Sequence, residues 1–305
     1  MLYLNQMSEI IDVENILKTF YAQKYNTIVV CGATGSGKSA LALKILSKVS
    51  NAIIINADSM QIYKEIPILT AQPTNLAKHH LYSILSCNHL TFSVAEWLSL
   101  SSSIINNAIH NNIIPVIVGG TGMYISSLLN GLTTIPSICN EIQEELIREL
   151  QQFGVQEMHN RLMKVDVVTA KKIFDPQRII RALSVFEQTG KPISEWQKHN
   201  QKYIDTNSVM KILVKPHRNI LYDRINLRFI DMIKNGVIDE VKNLISRFPD
   251  SKYPKAIGLK EIVNFIHGNL HMNDLIQTVQ QSTRNYAKRQ ETWFRNQITL
   301  YDLII

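Results

Sequence analysis

The chain alternates between short, continuous apolar runs and longer stretches whose apolar residues recur at helical spacing. Continuous apolar runs are typical of strands that are buried on both faces of a parallel sheet. Helical stretches connect successive runs, and strands that alternate with helices indicate an α/β fold. The sequence therefore predicts a parallel sheet flanked by helices. Its strands are predicted over residues 27–31, 52–56, 113–118 and 209–214.

The helical stretches divide the chain into regions. Apolar residues between Ile10 and Phe20 recur at helical spacing and predict a short packing helix, and residues 92–108 predict a crossover helix. Residues 140–200 are charged and helical without a strand signal, which predicts a small helical insertion domain. Further helices are predicted at residues 238–245 and 284–295. We expect an N-terminal extension over residues 1–25, a core formed by residues 26–139 and 201–305, and the insertion over residues 140–200.

The first predicted strand runs into a glycine-rich sequence. Residues 32–39 read Gly-Ala-Thr-Gly-Ser-Gly-Lys-Ser and precede a helix, which is the context of a phosphate-binding loop (P-loop). Its backbone N–H groups and the helix N-terminus attract a diphosphate, Lys38 adds a full positive charge, and the Ser39 hydroxyl can hold Mg²⁺. Kinases, nucleotide hydrolases and diphosphate-using transferases all remain possible. The predicted phosphate contacts are Gly32, Ala33, Thr34, Gly35, Ser36, Gly37, Lys38 and Ser39.

Two further strand ends carry polar residues. In a parallel sheet the carboxyl ends of the strands form one edge, where ligands bind, so Asp58 and Thr121 are expected beside the P-loop. The strand before Thr121 ends in Gly-Gly-Thr and lacks the terminal Asp through which many nucleotide hydrolases hold Mg²⁺. This makes a nucleotide-driven motor less favoured. From its position, Asp58 is a general base, an indirect metal ligand or a turn-forming residue.

Composition and charge restrict the class of protein. With 305 residues, 45% hydrophobic and 19% charged, the chain is expected to be globular. It has no apolar run of about 18 residues, and its three cysteines are far apart. We therefore expect a cytoplasmic protein without a membrane span. The net charge is +7, and the basic excess lies in residues 201–305.

Two helical segments carry basic residues. Arg178 and Arg181 share a helix face, and Arg284, Lys288 and Arg295 share another with Glu291. Such faces can contact nucleic acid phosphates. They can equally be solvated surfaces, with Glu291 pairing with Arg295.

Eight segments, in order, resemble bacterial tRNA dimethylallyltransferases. The resemblance runs from about residue 27 to residue 300, and its segments are the P-loop, Asp-Ser-Met-Gln-Ile-Tyr at 58–63, Thr-Ala-Gln-Pro at 70–73, His-His-Leu at 79–81, Gly-Gly-Thr-Gly-Met-Tyr at 119–124, Gln-Arg-Ile-Ile-Arg-Ala-Leu at 177–183, Ala-Ile-Gly at 256–258 and Ala-Lys-Arg-Gln-Glu-Thr-Trp-Phe-Arg at 287–295.

The resemblance implies transfer of a dimethylallyl group from dimethylallyl diphosphate to an adenine amine beside the anticodon of tRNA. It implies that Lys38 and Arg228 hold the diphosphate with Mg²⁺ and Ser39, that Asp58 accepts the amine proton, and that Thr121 holds the nucleotide. It further implies a monomer that needs no obligate protein partner and binds the tRNA anticodon stem-loop. The implied tRNA contacts are Asp58, Ser59, Met60, Gln61, Thr121, Gln143, Gln177, Arg178, Ile179, Ile180, Arg181, Arg284, Lys288 and Arg289.

The chain departs from the family pattern at two charged positions. Gln72 stands where the family has a lysine, and Gln143 stands where it has an arginine. Two other functions share parts of the pattern. A small-molecule or nucleoside kinase would also use the P-loop and Asp58 but gives no reason for the basic, aromatic C-terminal helix. A non-catalytic, nucleotide-switched RNA-binding protein gives no reason for Asp58 and Thr121.

Overall fold

The computed structural model describes residues 12–89, 92–198, 200–249, 252–298 and 300–305. These residues form two compact units. The larger unit contains residues 12–129 and 204–305, and the smaller unit is Asn130–Tyr203. Each unit has its own hydrophobic core.

The N-terminal part of the larger unit alternates strands and helices as the apolar pattern predicts. In chain order it contains α1 (Val13–Ala22), β1 (Thr27–Gly32), α2 (Lys38–Lys48), β2 (Ala52–Asn56), α3 (Pro67–Thr70), β3 (His79–His80), α4 (Val94–His110), β4 (Ile114–Gly119) and α5 (Gly122–Asn130).

The smaller unit is mainly helical. It contains β5 (Leu132–Thr133), α6 (Asn140–Val165), α7 (Val167–Ala170), α8 (Pro176–Thr189), α9 (Ile193–Trp196) and β6 (Asn200–Gln201). Helix α6 is interrupted at Gly154, whose φ of 79° lies in the left-handed region. Leu146 and Leu162, on either side of this break, are both buried in the core of the unit.

The chain then returns to the larger unit through a short 3₁₀ turn at Thr206–Ser208. The remaining elements complete the sheet and build a helical layer. They are β7 (Val209–Val214), α10 (Arg218–Lys234), α11 (Val237–Arg247), α12 (Leu259–Ile266), α13 (Met272–Gln297) and β8 (Leu303–Ile304).

The larger unit is built on a six-stranded sheet in the order β3-β2-β4-β1-β7-β8. Every neighbouring pair in this sheet is parallel. Strand β1 lies between β4 and β7, with Ile28 opposite both Val116 and Met210. The predicted α/β fold with a parallel sheet flanked by helices is confirmed. The P-loop therefore begins at an interior strand of the sheet.

Helix α1 belongs to the core of the larger unit. Val13, Ile16 and Phe20 are buried in the same cluster as residues of β1, β2 and β4. Asp12 caps the helix by accepting a hydrogen bond from the N–H of Asn15 at 3.0 Å. The segment predicted as an extension over residues 1–25 thus contains a packed helix from Val13 onward, while Ile10 lies outside the described residues.

The smaller unit is wider than the insertion predicted over residues 140–200. It begins at Asn130 and ends at Tyr203, because β5 and β6 pair in antiparallel fashion and bring its two ends together. Two-residue strands are too short to give an alternating pattern, so the sequence contained no signal for them. Within the described ranges, no helix combines the length and the apolar character needed to cross a bilayer.

Candidate active site

The P-loop connects β1 to α2 through backbone conformations that only glycine adopts readily. Gly35 and Gly37 have φ values of 78° and 103°, in the left-handed region. Helix α2 begins immediately after Gly37, so its first backbone N–H groups face the loop. The strand, loop and helix therefore have the backbone geometry that can hold a phosphate group.

Lys38 is a buried cation at this helix start. Its side-chain Nζ donates to the carbonyl oxygen of Ala33 at 3.2 Å, which folds the side chain back across the loop. Burial lowers the pKa of Lys38 to about 8; the negative charge of Asp58 opposes this shift and the positive charge of Arg228 adds to it. A dianionic or trianionic ligand in the loop would raise the pKa of Lys38 again and so favour its charged form.

Diphosphate binding is therefore expected to take up a proton at alkaline pH. If only charged Lys38 binds the anion, affinity should fall about tenfold between pH 7 and pH 9, because the charged fraction falls by that factor. Calorimetric titration with inorganic diphosphate in two buffers of different ionisation enthalpy measures the proton uptake, after correction for protonation of the free ligand. An affinity that is flat across this range would contradict the coupling.

Two arginines of α10 extend the positive charge beside the P-loop. Arg228 Nη1 donates to Thr34 Oγ1 at 3.3 Å and Nη2 to the carbonyl oxygen of Thr70 at 3.4 Å. Arg224, one turn earlier, donates to the carbonyl oxygen of Ser36 at 3.2 Å. Burial lowers the pKa of Arg228, and the nearby charge of Asp58 opposes that effect. Both guanidinium groups are thereby held against the loop.

Asp58 lies just beyond the end of β2 in a hydrogen-bonded turn. Its Oδ1 accepts from the N–H of Met60 at 3.0 Å, which accounts for one of its two carboxylate oxygens. The buried Asn56 holds this turn, because its Oδ1 accepts from the N–H of Asp58 and its Nδ2 donates to the carbonyl oxygens of Asp58 and Leu81. The carboxylate is thus fixed in place by the end of its own strand.

Thr121 follows β4 and contacts the same turn. Its Oγ1 accepts from the N–H of Ser59 at 2.9 Å, and its own N–H donates to the carbonyl oxygen of Ala57 at 3.1 Å. Gly119 has no space for a side chain, because a Cβ there would overlap the backbone of Ala57. The ends of β2 and β4 are therefore pressed together, which brings Thr121 beside Asp58 as the strand order predicts.

A cavity of about 320 Å³ opens beside these groups in the larger unit. Asp58, Thr34 and Arg228 line one part of it, and Lys255 and Arg289 add further positive charge. The remaining walls are largely apolar and include Leu69, Ile225, Phe229, Met232 and Val279. The cavity thus combines a carboxylate, an anion-binding side and an apolar side, which suits a ligand with a phosphorylated head and a hydrocarbon tail.

Known proteins resemble this chain over most of its length. The family model described as IPP transferase matches residues 61–297. A tRNA dimethylallyltransferase of Wolbachia pipientis subsp. Culex pipiens is 42% identical over 279 residues, covering 90% of this chain and 93% of that relative. The chain belongs to the IPP transferase family. The resemblance inferred from the eight sequence segments is confirmed.

Solved structures of IPP transferases share the fold. The full-length tRNA isopentenylpyrophosphate transferase of Bacillus halodurans superposes with a TM-score of 0.63 at 30% identity, covering 92% of this chain and 90% of that one. A eukaryotic dimethylallyltransferase acting on tRNA superposes with a TM-score of 0.74 at 27% identity, covering 88% of this chain and 69% of that one. Membership in the family makes the protein a prenyl-transferring enzyme and does not support the kinase or the non-catalytic alternative.

The predicted tRNA contacts of the smaller unit lie on α8, apart from Gln143, and the two faces of α8 differ. Gln177, Arg178 and Arg181 are exposed, whereas Ile179 and Ile180 are buried in the core of this unit. The prediction that Ile179 and Ile180 grip RNA is wrong for their side chains, because helical periodicity turns them inward. Gln143 is half-buried on α6.

The predicted tRNA contacts of the larger unit differ in solvent exposure and in the hydrogen bonds they already make. Lys288 and Arg289 are exposed, and Arg289 stacks over the ring of Tyr286. Arg284 is instead half-buried and donates to Asn226 Oδ1 at 2.5 Å and to Gln281 Oε1 at 2.7 Å. Gln61 donates to the carbonyl oxygens of Thr70 and Ala71.

Gln72 stands where the family pattern has a lysine, and its side chain bridges two segments of the chain. Its Nε2 donates to the carbonyl oxygen of Tyr63 at 2.7 Å, and its Oε1 accepts from Ser83 Oγ at 2.6 Å. The side chain thus fixes the segment between Asp58 and α3 through neutral hydrogen bonds.

Three residues that hold the site together were not predicted from the sequence. Asn56 is a polar residue inside an apolar strand run, and Arg224 lies one turn before Arg228 on the same helix face. Gln290 is buried on α13 between two apolar turns that carry Ala287 and Phe294. At each of these positions the apolar pattern predicts a buried side chain, but the sequence has a polar or charged one. That mismatch could have identified the three residues.

Proposed function

We propose that the protein transfers the dimethylallyl group of dimethylallyl diphosphate to the exocyclic N6 amine of the adenine on the 3′ side of the anticodon in tRNA, releasing diphosphate. The observation that carries the proposal is that Asp58, Arg228 and the P-loop residue Thr34 line the same cavity as an apolar wall. Membership in the IPP transferase family supports this substrate class.

The donor matches the two sides of the cavity. Its diphosphate would bind the P-loop N–H groups, Lys38 and Arg228, and its five-carbon tail would lie against the apolar wall. Negative charge builds up on the diphosphate as its bond to C1 of the dimethylallyl group breaks. The cations of the site therefore bind the leaving group more strongly in the transition state than in the ground state, which is the condition for rate acceleration.

The acceptor amine would approach from the side of Asp58. The amine nitrogen forms a bond to C1 of the donor, the bond from C1 to the diphosphate oxygen breaks, and a proton leaves the nitrogen for the Asp58 carboxylate. The exocyclic amine of adenine is a weak nucleophile, so holding it in line with the departing diphosphate contributes much of the acceleration. Thr121, bonded to the turn beside Asp58, would hold the target nucleotide.

Mg²⁺ fits the P-loop side of the site. The Ser39 side chain is exposed at the start of α2, next to the buried Lys38, so its hydroxyl would be available to hold Mg²⁺. Mg²⁺ bound there would neutralise part of the diphosphate charge. Asp58 is kept for proton transfer in this proposal, because its Oδ1 is already engaged by the N–H of Met60.

The RNA would be held by exposed basic residues on both units. Arg178 and Arg181 on α8 and Lys288 and Arg289 on α13 are proposed to contact the anticodon stem-loop. The target adenine must leave the stacked loop to reach Asp58, since enzymes that modify a base act on an extruded nucleotide. Because tRNA is the acceptor, we propose that the protein acts in the cytoplasm, as a single chain without an obligate protein partner.

Removing exposed cations should lower the salt dependence of tRNA binding. For Arg178→Ala, Arg181→Ala and Lys288→Ala, we expect the slope of log affinity against log salt to fall by about one unit per lost phosphate contact. Filter binding at a series of salt concentrations measures the slope. Lys18→Ala on α1 is the matched control, because it removes the same charge from a surface outside the proposed contact. Slopes equal to the slope of that control would show that these residues contact no phosphate and form an ordinary solvated surface.

One experiment tests the proposed function directly. The protein is incubated with bulk tRNA, Mg²⁺ and either dimethylallyl diphosphate labelled in the hydrocarbon part or ATP labelled in the γ-phosphate. We expect the hydrocarbon label to enter tRNA and to be recovered on a modified adenosine after digestion. Rapid use of ATP without incorporation of the dimethylallyl label would reject the proposal in favour of a kinase.

A further inference from the structure

The side chain of Gln290 is buried between two parts of the site that come from distant regions of the sequence. It is 5% exposed on α13. Its Oε1 accepts from the N–H of Thr34 in the P-loop at 2.8 Å, and its Nε2 donates to the carbonyl oxygen of Gly120 at 2.8 Å. One amide group therefore joins the P-loop to the turn that follows β4.

The two bonds need an acceptor and a donor on the same short group. A side-chain amide supplies both, whereas an apolar side chain supplies neither and an ionised carboxylate supplies only acceptors. Gly120 leaves space for this approach, because a Cβ at that position would overlap the Gln290 amide. The bridge is thus specific to glutamine opposite glycine.

Contacts made by the neighbouring turns of α13 fix the position of the Gln290 amide. Ala287, one turn earlier, is fully buried in a cluster with Ala33 of the P-loop. Trp293, one turn later, lies where a Cβ on Gly122 would be. Three successive turns of α13 therefore contact the P-loop and the segment after β4.

The two bridged segments serve opposite halves of the proposed reaction. Thr34 carries the hydroxyl that accepts from Arg228 on the donor side. Gly120 precedes Thr121, whose hydroxyl accepts from the N–H of Ser59 next to Asp58 on the acceptor side. The separation of these halves sets the distance between the departing diphosphate and the attacking amine.

We propose that Gln290 is a positioning residue that fixes the P-loop against the Thr121 turn, so that donor and acceptor meet in line. The inference rests on the proposed function, because it concerns the alignment of that reaction. It assigns Gln290 no contact with either substrate. Its loss should therefore lower the rate of the chemical step while leaving both substrates bound, and misplacement by about 1 Å can cost about 100-fold in rate.

The first test uses Gln290→Met, which keeps the length of the side chain and removes both hydrogen bonds. We expect the single-turnover rate constant at saturating substrates to fall by about 10- to 100-fold. The affinities for tRNA and inorganic diphosphate should stay within about threefold of those of the unchanged protein. Leu275→Ala is the control, because it opens a cavity in the buried core packed against the same helix and removes no hydrogen bond. If the rate per folded molecule falls no further in Gln290→Met than in Leu275→Ala, Gln290 is only structural and the inference is overturned.

The second test uses Gln290→Glu and does not depend on how well the methionine variant folds. A protonated carboxyl group can donate to Gly120 and accept from Thr34, as the amide does, whereas an ionised one repels the carbonyl oxygen of Gly120. We expect the ratio of variant to unchanged kcat to rise at least about tenfold as the carboxyl group becomes protonated at lower pH. A ratio that stays constant with pH, while both proteins remain folded, would overturn the inference.

The outcomes separate the inference from the proposed function. If the unchanged protein transfers no dimethylallyl group to tRNA, the proposed function fails. If the unchanged protein is active and the Gln290 variants behave like Leu275→Ala, only the positioning role fails.

Discussion

Lys38→Met is expected to abolish measurable diphosphate binding and to lower kcat/KM for dimethylallyl transfer by about 10³-fold. Lys38 is the buried cation at the start of α2, and removal of one preorganised charge-stabilising group from an active site costs about 10² to 10³ in rate. For Lys38→Met we expect a loss of rate at or above the upper end of this range, because a dehydrated diphosphate is left with unpaired negative charge. Methionine keeps most of the side-chain volume, so packing around the P-loop is largely preserved.

The measurement combines calorimetry with inorganic diphosphate and Mg²⁺ and a transfer assay with tRNA. Lys48→Met, at the opposite end of α2, removes an equal charge and only an exposed ion pair with Glu14, whose contribution to stability is about 1 kcal/mol or less. That control should retain normal affinity and rate. Near-normal diphosphate binding by Lys38→Met would show that the donor head group binds elsewhere.

Asp58→Asn is expected to lower kcat by about 10²-fold or more while leaving diphosphate affinity nearly unchanged. Asparagine keeps the size of the side chain and an oxygen that can accept from the N–H of Met60. It lacks the basic oxygen that would take the proton of the amine. Asp274→Asn, at the exposed start of α13, is the control for loss of one negative charge and should react normally.

The same variant distinguishes a general base from a metal ligand. If Asp58 organises Mg²⁺, then Asp58→Asn should weaken diphosphate binding and its dependence on Mg²⁺ together. If Asp58 is the base, the loss should lie in single-turnover rate at saturating substrates. Normal turnover at saturation combined with greatly weakened diphosphate binding would assign Asp58 to the metal.

The strands at the centre of the sheet were predictable because burial on both faces leaves an uninterrupted apolar run. The P-loop and Asp58 were predictable for a related reason, since the chemistry of a parallel sheet collects at the ends of such runs. Strands β3 and β8 were not predicted, because each is only two residues long and lies at an edge of the sheet. Their pairing depends on tertiary structure and leaves no periodic signal in the sequence.

The internal hydrogen bonds of the site were beyond sequence analysis. The pattern shows that Gln290 lies on a helix, but its two partners, Thr34 and Gly120, are far away in the chain and are set by the packing of α13. The error at Ile179 and Ile180 has the opposite origin. A family segment was transferred as a block, although helical periodicity already indicated that its two isoleucines face inward.

The order of the strands also determines when the site can exist during synthesis. Strand β1 is paired on one side with β4 and on the other with β7, which follows the whole of the smaller unit in the sequence. A nascent chain that ends before β7 exposes one edge of β1, and one that ends before Gln290 lacks the bridge between Thr34 and Gly120. The smaller unit, in contrast, is continuous in sequence and has its own core, so its folding does not have to wait for the C-terminal part of the chain. Assembly of the candidate site therefore requires β7 and α13, and we expect chains released before them to be inactive even though they carry an intact P-loop sequence.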